Sequence, residues 1–273
     1  MDKYSVLMSI YYKEKPEYLS LAIDSMINQT IPPDEIVLVE DGPLTDELYV
    51  VIDEYIEKYT DLIHIVVNET NLGLGIALNN GLKHCKNELI ARMDTDDVSL
   101  PKRCEEQLSI FKTNSHMDIV GGDITEFIDD EDNIVGRRSV PQCDKEIKEY
   151  MKYRCALNHV SVMFKKQTVL AVGGYKDWFW NEDYYLWIRM LENGCMFANT
   201  GTVLVNVRTG SDMYSRRGGR KYFESEKKLQ DYMLEKGIIN NSTYFLNVLK
   251  RWIVQVLLPN SVRGWVFRKF ARN

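Results

Sequence analysis

The sequence predicts an α/β fold with a mostly parallel central sheet. Two observations carry this reading. Short apolar runs alternate with amphipathic helical runs from residue 5 to residue 113, and the connections between them are short. A third observation locates the function. Three of the strand-like runs end in acids or amides, at Glu40-Asp41-Gly42, at Asn68 to Asn71 and at Asp94 to Asp97. In parallel sheets, ligands bind beyond the carboxyl ends of the strands.

The elements follow in order. SVLMSIYY (5–12) is strand-like. PEYLSLAIDSMINQ (16–29) opens on proline, suited to a first helical turn, and sets Leu19, Ile23, Met26 and Ile27 on one helical face. EIVLVED (35–41) is a continuous apolar run ending in acids, the pattern of a strand covered on both faces. DELYVVIDEYIEKY (46–59) is helical, LIHIVVN (62–68) extended, GLGIALNNGLKHC (73–85) a helix entered through glycines, and ELIARM (88–93) another strand. KRCEEQLSIFKT, after Pro101, is helical again. MDIVGGDITEFIDDEDNIVGRRSV predicts a hairpin with its acidic turn at Asp129–Asn133. A helix over 144–153, a strand NHVSVMF (158–164), a Gly-Gly loop and the aromatic stretch WFWNEDYYLWIRM complete the second half. That half is expected to close over the acidic mouth.

The 273 residues, 45% hydrophobic and 27% charged, suit one sizeable globular domain or one domain plus an appendage. Five scattered cysteines without a C-x-x-C pair argue for a reducing cytoplasm and against a zinc or disulfide framework. The start lacks the features of a signal peptide, and no apolar run has the roughly 18 residues of a membrane span. The charge of -6 is unevenly distributed: residues 236–273 hold seven Lys/Arg and no acid, so residues 1–235 carry 27 basic against 40 acidic groups. Such a tail suits an anionic surface.

Asp94, Asp96 and Asp97 repel one another, so a positive partner must offset their proximity. A hard divalent cation, Mg²⁺ or Mn²⁺, shared with a substrate diphosphate fits an all-oxygen cluster. Capping of the next helix accounts for Ser99 and for Asp97, but not for Asp94 and Asp96, which precede the cap.

SVLMSIYYKEKPEYLSLAIDSMINQT, EIVLVEDGP, NLGLGIALNNGL and ARMDTDD, in that order, resemble the inverting glycosyltransferases of family 2, with their GT-A fold. The likeness covers the whole chain and is strongest over residues 4–110. It points towards bacterial capsule, O-antigen and exopolysaccharide enzymes of the amylovoran and colanic-acid type. The resemblance implies a nucleotide-sugar donor, with UDP favoured, bound by Ser9, Tyr11, Asp41, Asn71, Arg92 and Asp94. Asp96, with Asp94, is implied as the metal site. Asp41 matches the acid that accepts from uracil, although Glu40 and Pro43 depart from the usual Asp and Ser. Arg92 suits either the diphosphate or a strand-end ion pair.

FWNEDYYLWIRM resembles the family's E-D-Y-D-L-W-x-R-L helix, which makes Asp183 the catalytic base. Capping of that helix is the bland alternative. His159, Glu182, Arg216, Arg217 and Arg220 are candidates for contact with the acceptor or a diphosphate, against a satisfied histidine and solvated loop charge.

These readings divide the chain into a catalytic domain (1–235), with a nucleotide-sugar half (1–115) and an acceptor half (116–235), and a basic amphipathic appendage (236–273). Pro259 splits the appendage into two short helices, which either pack on the domain or lie on anionic lipid. The expected acceptor is a saccharide, carried on a polyprenyl diphosphate at the inner face of the bacterial membrane. No nucleic-acid module is visible. Two other functions stay open: a sugar-phosphate nucleotidyltransferase, disfavoured because YYKEKPEY has no glycine, and a non-catalytic nucleotide-sugar or carbohydrate-binding protein.

Overall fold

A computed structural model describes residues 3–210 and 218–259. The first half alternates as expected: β1 (Tyr4–Ile10), α1 (Pro16–Ile27), β2 (Glu35–Asp41), α2 (Asp46–Lys58), β3 (Ile63–Asn68), α3 (Leu74–His84) and β4 (Leu89–Arg92). It continues through the two-residue β5 (Val98–Ser99) and α4 (Arg103–Thr113). The second half holds β6 (Ile119–Ile128), β7 (Asp130–Arg138), α5 (Asp144–Met151), β8 (Met163–Lys165), α6 (Lys166–Ala171), α7 (Glu182–Glu192) and β9 (Phe197–Arg208). Two helices follow, α8 (Arg220–Glu235) and α9 (Asn241–Trp252).

One sheet of order β3-β2-β1-β4-β8-β6-β9-β5 spans the molecule, with β7 paired to β6. β1 to β4 are parallel, and β8 is antiparallel to both β4 and β6. β6 therefore runs the same way as β4, and β9, parallel to β6, does too. This topology brings the ends of six strands to one edge: Ile10, Asp41, Asn68, Arg92, Ile128 and Arg208.

Every residue of β2 is buried, because helices cover both sheet faces. On one face Leu7, Val37 and Val39 pack with α3 and α7. On the other, Val6, Met8 and Leu38 pack with α1, α2 and α4. Gly81 sets the spacing of α3, since a Cβ there would lie 2.5 Å from Leu7 Cδ1 and from Val39 Cγ2.

Four expectations are corrected. The hairpin turns more tightly than Asp129–Asn133. Ile128 pairs directly with Asp130, and the turn is made at Asp129, whose φ is 60°. The strand expected over 158–164 is reduced to Met163–Lys165, preceded by a 3₁₀ turn, His159–Ser161. Side-chain bonds make that turn: Ser161 Oγ donates to the Asn158 carbonyl at 2.9 Å, and Asn158 Nδ2 donates to the Gly122 carbonyl at 2.8 Å. Neither Asp97 nor Ser99 caps a helix. Lys102 is the N-cap of α4, Ser99 pairs with Val205 in the sheet, and Asp97 accepts from the Arg208 backbone N–H at 2.7 Å. The helix over 144–153 stops at Met151.

In the appendage, one face of α9 packs on the domain. Buried Asn247 donates to the Lys152 carbonyl and to Gln230 Oε1, both at 2.8 Å, and Arg251 pairs with Glu226 at 2.8 Å. The opposite face exposes Phe245, Leu246, Leu249 and Trp252, and a π-helical turn (Ile253–Leu257) continues the stripe with Ile253, Val256 and Leu257. Packed helix and exposed amphipathic helix are thus two faces of one element. The second helix expected after Pro259 lies outside the described residues. Among the described residues, no helix is long and apolar enough to cross a membrane.

Candidate active site

The strand ends open into a cavity of about 980 Å³. Its lining includes Asp96 from the β4–β5 connection, Gly73 at the start of α3, His159, Glu182 and Asp183 at the start of α7, and Arg208 at the end of β9. The sequence-predicted Asp96, His159, Glu182 and Asp183 therefore face one space, although 87 residues separate Asp96 from Asp183.

The carboxylates of Asp94, Asp96 and Asp97 each offer an oxygen within 4.8 Å of the others. They are not equivalent. Arg92, 2% exposed, grips Asp94 through both terminal nitrogens. Arg92 is thus a buried strand-end ion-pair partner, and its Nε has no bond within the described residues. Asp97 is committed to the backbone of β9. Asp96 is the acid that faces the cavity, and burial, then Asp94 and Glu14, push its carboxyl up to about 7. Burial, then Asp96 and Asp94, also raise Asp97. Partly buried like charges of this kind call for a cation, and oxygen-only donors fit a hard divalent ion held by Asp96 with Asp94.

Asp41 is buried and does not itself line the cavity. One carboxylate oxygen accepts from Asn68 Nδ2 and the Leu72 N–H, and the other from the Gly73 N–H, all at 2.9 Å. Asn71 Nδ2 donates to the Asp41 carbonyl at 3.2 Å. Asp41 therefore fixes the loop that enters α3. Gly42 is required beside it: its φ is +89°, and a Cβ would lie 2.7 Å from the Asn71 nitrogen. Ser9 and Tyr11 sit at the end of β1, with Tyr11 exposed, and neither lines the cavity.

The opposite wall is built by α7. Asn181 is the N-cap and makes no side-chain capping bond, so Glu182 and Asp183 fall in the first turn, near the positive end of the helix dipole. The N-cap position is thus Asn181 and not Asp183. Burial, then Asp183, push the Glu182 carboxyl up to about 7, with Arg92 opposing. Two clamps hold the neighbouring loop. Asn79 bonds both the carbonyl (2.6 Å) and the N–H (2.8 Å) of Tyr175, and Arg189 donates to the carbonyls of Val172 and Gly174 at 2.5 and 2.6 Å. Tyr175, kept protonated by burial, then meets His159 Nε2 at 2.9 Å. Burial, then Arg92, hold His159 well below its usual pKa, so the ring is neutral at physiological pH.

Arg220 is not part of this wall. It pairs with Glu224 at 3.0 Å, 87% exposed, and is not among the residues lining the cavity. Arg216 and Arg217 lie outside the described residues. One contributor, Arg208, has no local signal in the sequence, and a second comes from the aromatic stretch noted above. Arg208 stacks its guanidinium 3.8 Å over Tyr18 and 4.5 Å over Phe127, and donates to the carbonyls of Asp96 (3.1 Å) and Asp129 (2.8 Å). The aromatic run Trp178, Phe179 and Trp180 is a loop that lines the cavity, and in it Trp180 adopts a φ of 58°. That conformation costs a bulky residue about 1–3 kcal/mol.

A sheet of this topology, with an acidic strand-end cluster facing an acidic helix start, defines a GT-A-type transferase. The glycosyl transferase family 2 model matches residues 5–177, and the chain belongs to that family. It is 37% identical over 270 residues to the UDP-Gal:alpha-D-GlcNAc-diphosphoundecaprenol beta-1,3-galactosyltransferase of Escherichia coli, with 99% of this chain and 97% of that one covered. It is 39% identical over 272 residues to the amylovoran biosynthesis glycosyltransferase AmsE of Erwinia amylovora, covering 97% and 98% of the two chains. Among solved structures, Staphylococcus aureus TarS 1–349 with UDP-GlcNAc superposes with a TM-score of 0.66 at 18% identity, over 92% of this chain and 72% of that one. The chain spans 43% of the longer TarS structure. A Pyrobaculum calidifontis mannosyltransferase with GDP-Man and Mn²⁺ gives 0.63 at 13% identity, over 96% and 71%. The protein is a family 2 glycosyltransferase of polysaccharide biosynthesis. The nucleotidyltransferase and non-catalytic alternatives are set aside.

Proposed function

We propose that the protein transfers a sugar, with inversion, from a UDP-sugar to a saccharide linked through diphosphate to a membrane lipid. One observation carries the reading: a cation-seeking acid, Asp96, and a helix-start acid, Asp183, face the same cavity from elements far apart in sequence. Such a transfer needs two separated acid sites, one for the leaving group and one for the incoming hydroxyl.

The acceptor hydroxyl attacks the anomeric carbon from the face opposite the nucleoside diphosphate. A new C–O bond forms while the bond to the phosphate oxygen breaks, and its electron pair leaves on the diphosphate. The hydroxyl proton passes to Asp183, the base on the acceptor side. Asp96 and Asp94 would hold a divalent cation, Mn²⁺ or Mg²⁺, which would supply positive charge to the leaving diphosphate. Asp41 orders the 68–73 loop beside the nucleotide, and Arg92 orients Asp94. Glu182, partly protonated near neutral pH, limits the negative charge that Asp183 must share. Neutral His159 offers a hydrogen bond without adding charge.

The exposed apolar stripe of α9 lies on the cytoplasmic face of the bacterial membrane and brings the site to its lipid-borne acceptor. The similarity to an enzyme acting on GlcNAc-diphosphoundecaprenol supports this acceptor class. Incubating the protein with Mn²⁺, a panel of UDP-sugars and a GlcNAc-diphosphate-alkyl acceptor tests the reading. The expected product has the anomeric configuration opposite to the donor by NMR, and retention of configuration would refute the inverting mechanism.

A further inference from the structure

A second cavity, of about 340 Å³, adjoins the first and shares Trp180, Asp183 and Tyr222 with it. The two differ in charge. Five acids (Asp96, Asp129, Asp177, Glu182, Asp183) face three cations (Lys15, Lys176, Arg208) in the large cavity. In the smaller one, four cations (Arg138, Arg154, Lys250 and Arg251) meet two acids (Asp183 and Glu226) among the described lining residues; Arg251 pairs with Glu226 at 2.8 Å, and Arg138 also donates to the Cys155 carbonyl at 2.6 Å. The four cations come from β7, the segment after α5, and α9. The fold thus gathers them from three separate parts of the chain.

Resting on the function proposed above, we propose that this basic cavity is the acceptor's diphosphate site. It binds the anion with guanidinium and ammonium groups rather than with a metal, and it holds the acceptor sugar against Asp183. The division is chemical. An acidic pocket takes a diphosphate only together with a divalent cation, whereas a basic pocket takes one directly, and arginine suits phosphate oxygens by its forked donors. With separate sites, the two diphosphates of donor and acceptor do not repel each other in one pocket. The lipid also gains a route. Lys250, Arg251, Val254 and Gln255 line the cavity on one side of α9 and its π-helical extension, and Leu249, Trp252, Ile253 and Val256 are exposed on the other. The element that lines the site thus also carries an exposed apolar stripe suited to the lipid chain.

The test titrates the full-length protein with decyl GlcNAc-diphosphate and with decyl GlcNAc lacking phosphate, read by tryptophan fluorescence, alongside UDP with Mn²⁺. Wild type should favour the diphosphate by about tenfold or more, the yield of one or two charge-assisted hydrogen bonds. Arg138→Ala/Arg154→Ala should erase that preference, and Lys250→Glu, at an exposed position that leaves packing intact, should lower it about fivefold. UDP binding should be unchanged in each variant. A preference that persists in all variants, or displacement of the decyl diphosphate by UDP with Mn²⁺, would overturn the assignment. Intact UDP binding in such a case leaves the transferase reading standing. Absence of UDP binding in wild type would remove both.

Discussion

Arg92 holds Asp94 through both terminal guanidinium nitrogens, two residues along the same strand end, while buried to 2% exposure. The pair joins the two halves of the site, because the Arg92 charge is also felt at Asp96, His159 and Glu182. Breaking a buried pair strands a charge, at about 3–5 kcal/mol. Arg92→Met should therefore lower unfolding stability by about 3 kcal/mol in urea titrations. A loss under about 1 kcal/mol would mean that the pair is solvated.

Asp96 is in tension between stability and function. Without a cation, its ionised form is opposed by burial and by Asp94 and Glu14, so its folded pKa lies at about 7 against an ordinary 3.8. Metal-free protein should lose stability as pH rises through that window. Asp96→Asn should raise metal-free stability at pH 8 by about 1 kcal/mol while removing the thermal shift produced by UDP with Mn²⁺. A retained shift would exclude Asp96 as a ligand.

Glu182 gives a second pH signature, remote from the metal cluster in sequence. Its carboxyl binds a proton up to about pH 7 in the folded protein and only up to about 4.5 when unfolded, so its contribution is present below 4.5 and lost as pH rises to about 7. Glu182→Gln should flatten the stability profile across that interval, as read from chemical denaturation at stepped pH. An unchanged slope would place the titration elsewhere.

The Asp41 loop should control donor affinity. Gly42→Ala meets both the Asn71 nitrogen and an unfavourable φ, so it should displace the loop and raise the donor KM at least about tenfold, with a smaller effect on kcat. Equal KM values would show that the loop does not touch the donor.

Membrane attachment is tested on exposed side chains alone, since deleting α9 would also remove the packing of Asn247 and Arg251. Leu246→Glu/Trp252→Glu/Leu257→Glu should leave thermal stability intact and weaken sedimentation with anionic vesicles by at least about tenfold, from lost apolar burial and added repulsion. Unchanged binding would move the contact off this face.

The first half of the fold was legible because each strand and helix carries its own period. β2 matches its apolar run residue for residue, and α1 and α3 begin at the proline and glycines that mark them. The acid sites were legible for the same reason: Asp94, Asp96, Glu182 and Asp183 sit in short motifs. What escaped depends on distant pairing. β5 is two residues whose strand character exists only against β9, and β9 has no counterpart among the sequence expectations. Arg208 looks like any strand-end arginine until β9 delivers it to the cavity. The 158–164 segment misled because its apolar alternation is overruled by the side-chain bonds of Asn158 and Ser161. Arg220 opens α8 and pairs with Glu224, a placement that the basic loop in the sequence does not reveal.

The central claim is a division of labour between Asp96 and Asp183, and Asp183→Asn separates the two most directly. The measurement pairs UDP affinity in Mn²⁺ with transfer to the lipid-diphosphate acceptor. The account predicts wild-type UDP affinity and a loss of transfer by about 10²- to 10⁴-fold, the range for removal of a general base. Transfer within about threefold of wild type would contradict it, and the base would then lie on another residue of the cavity.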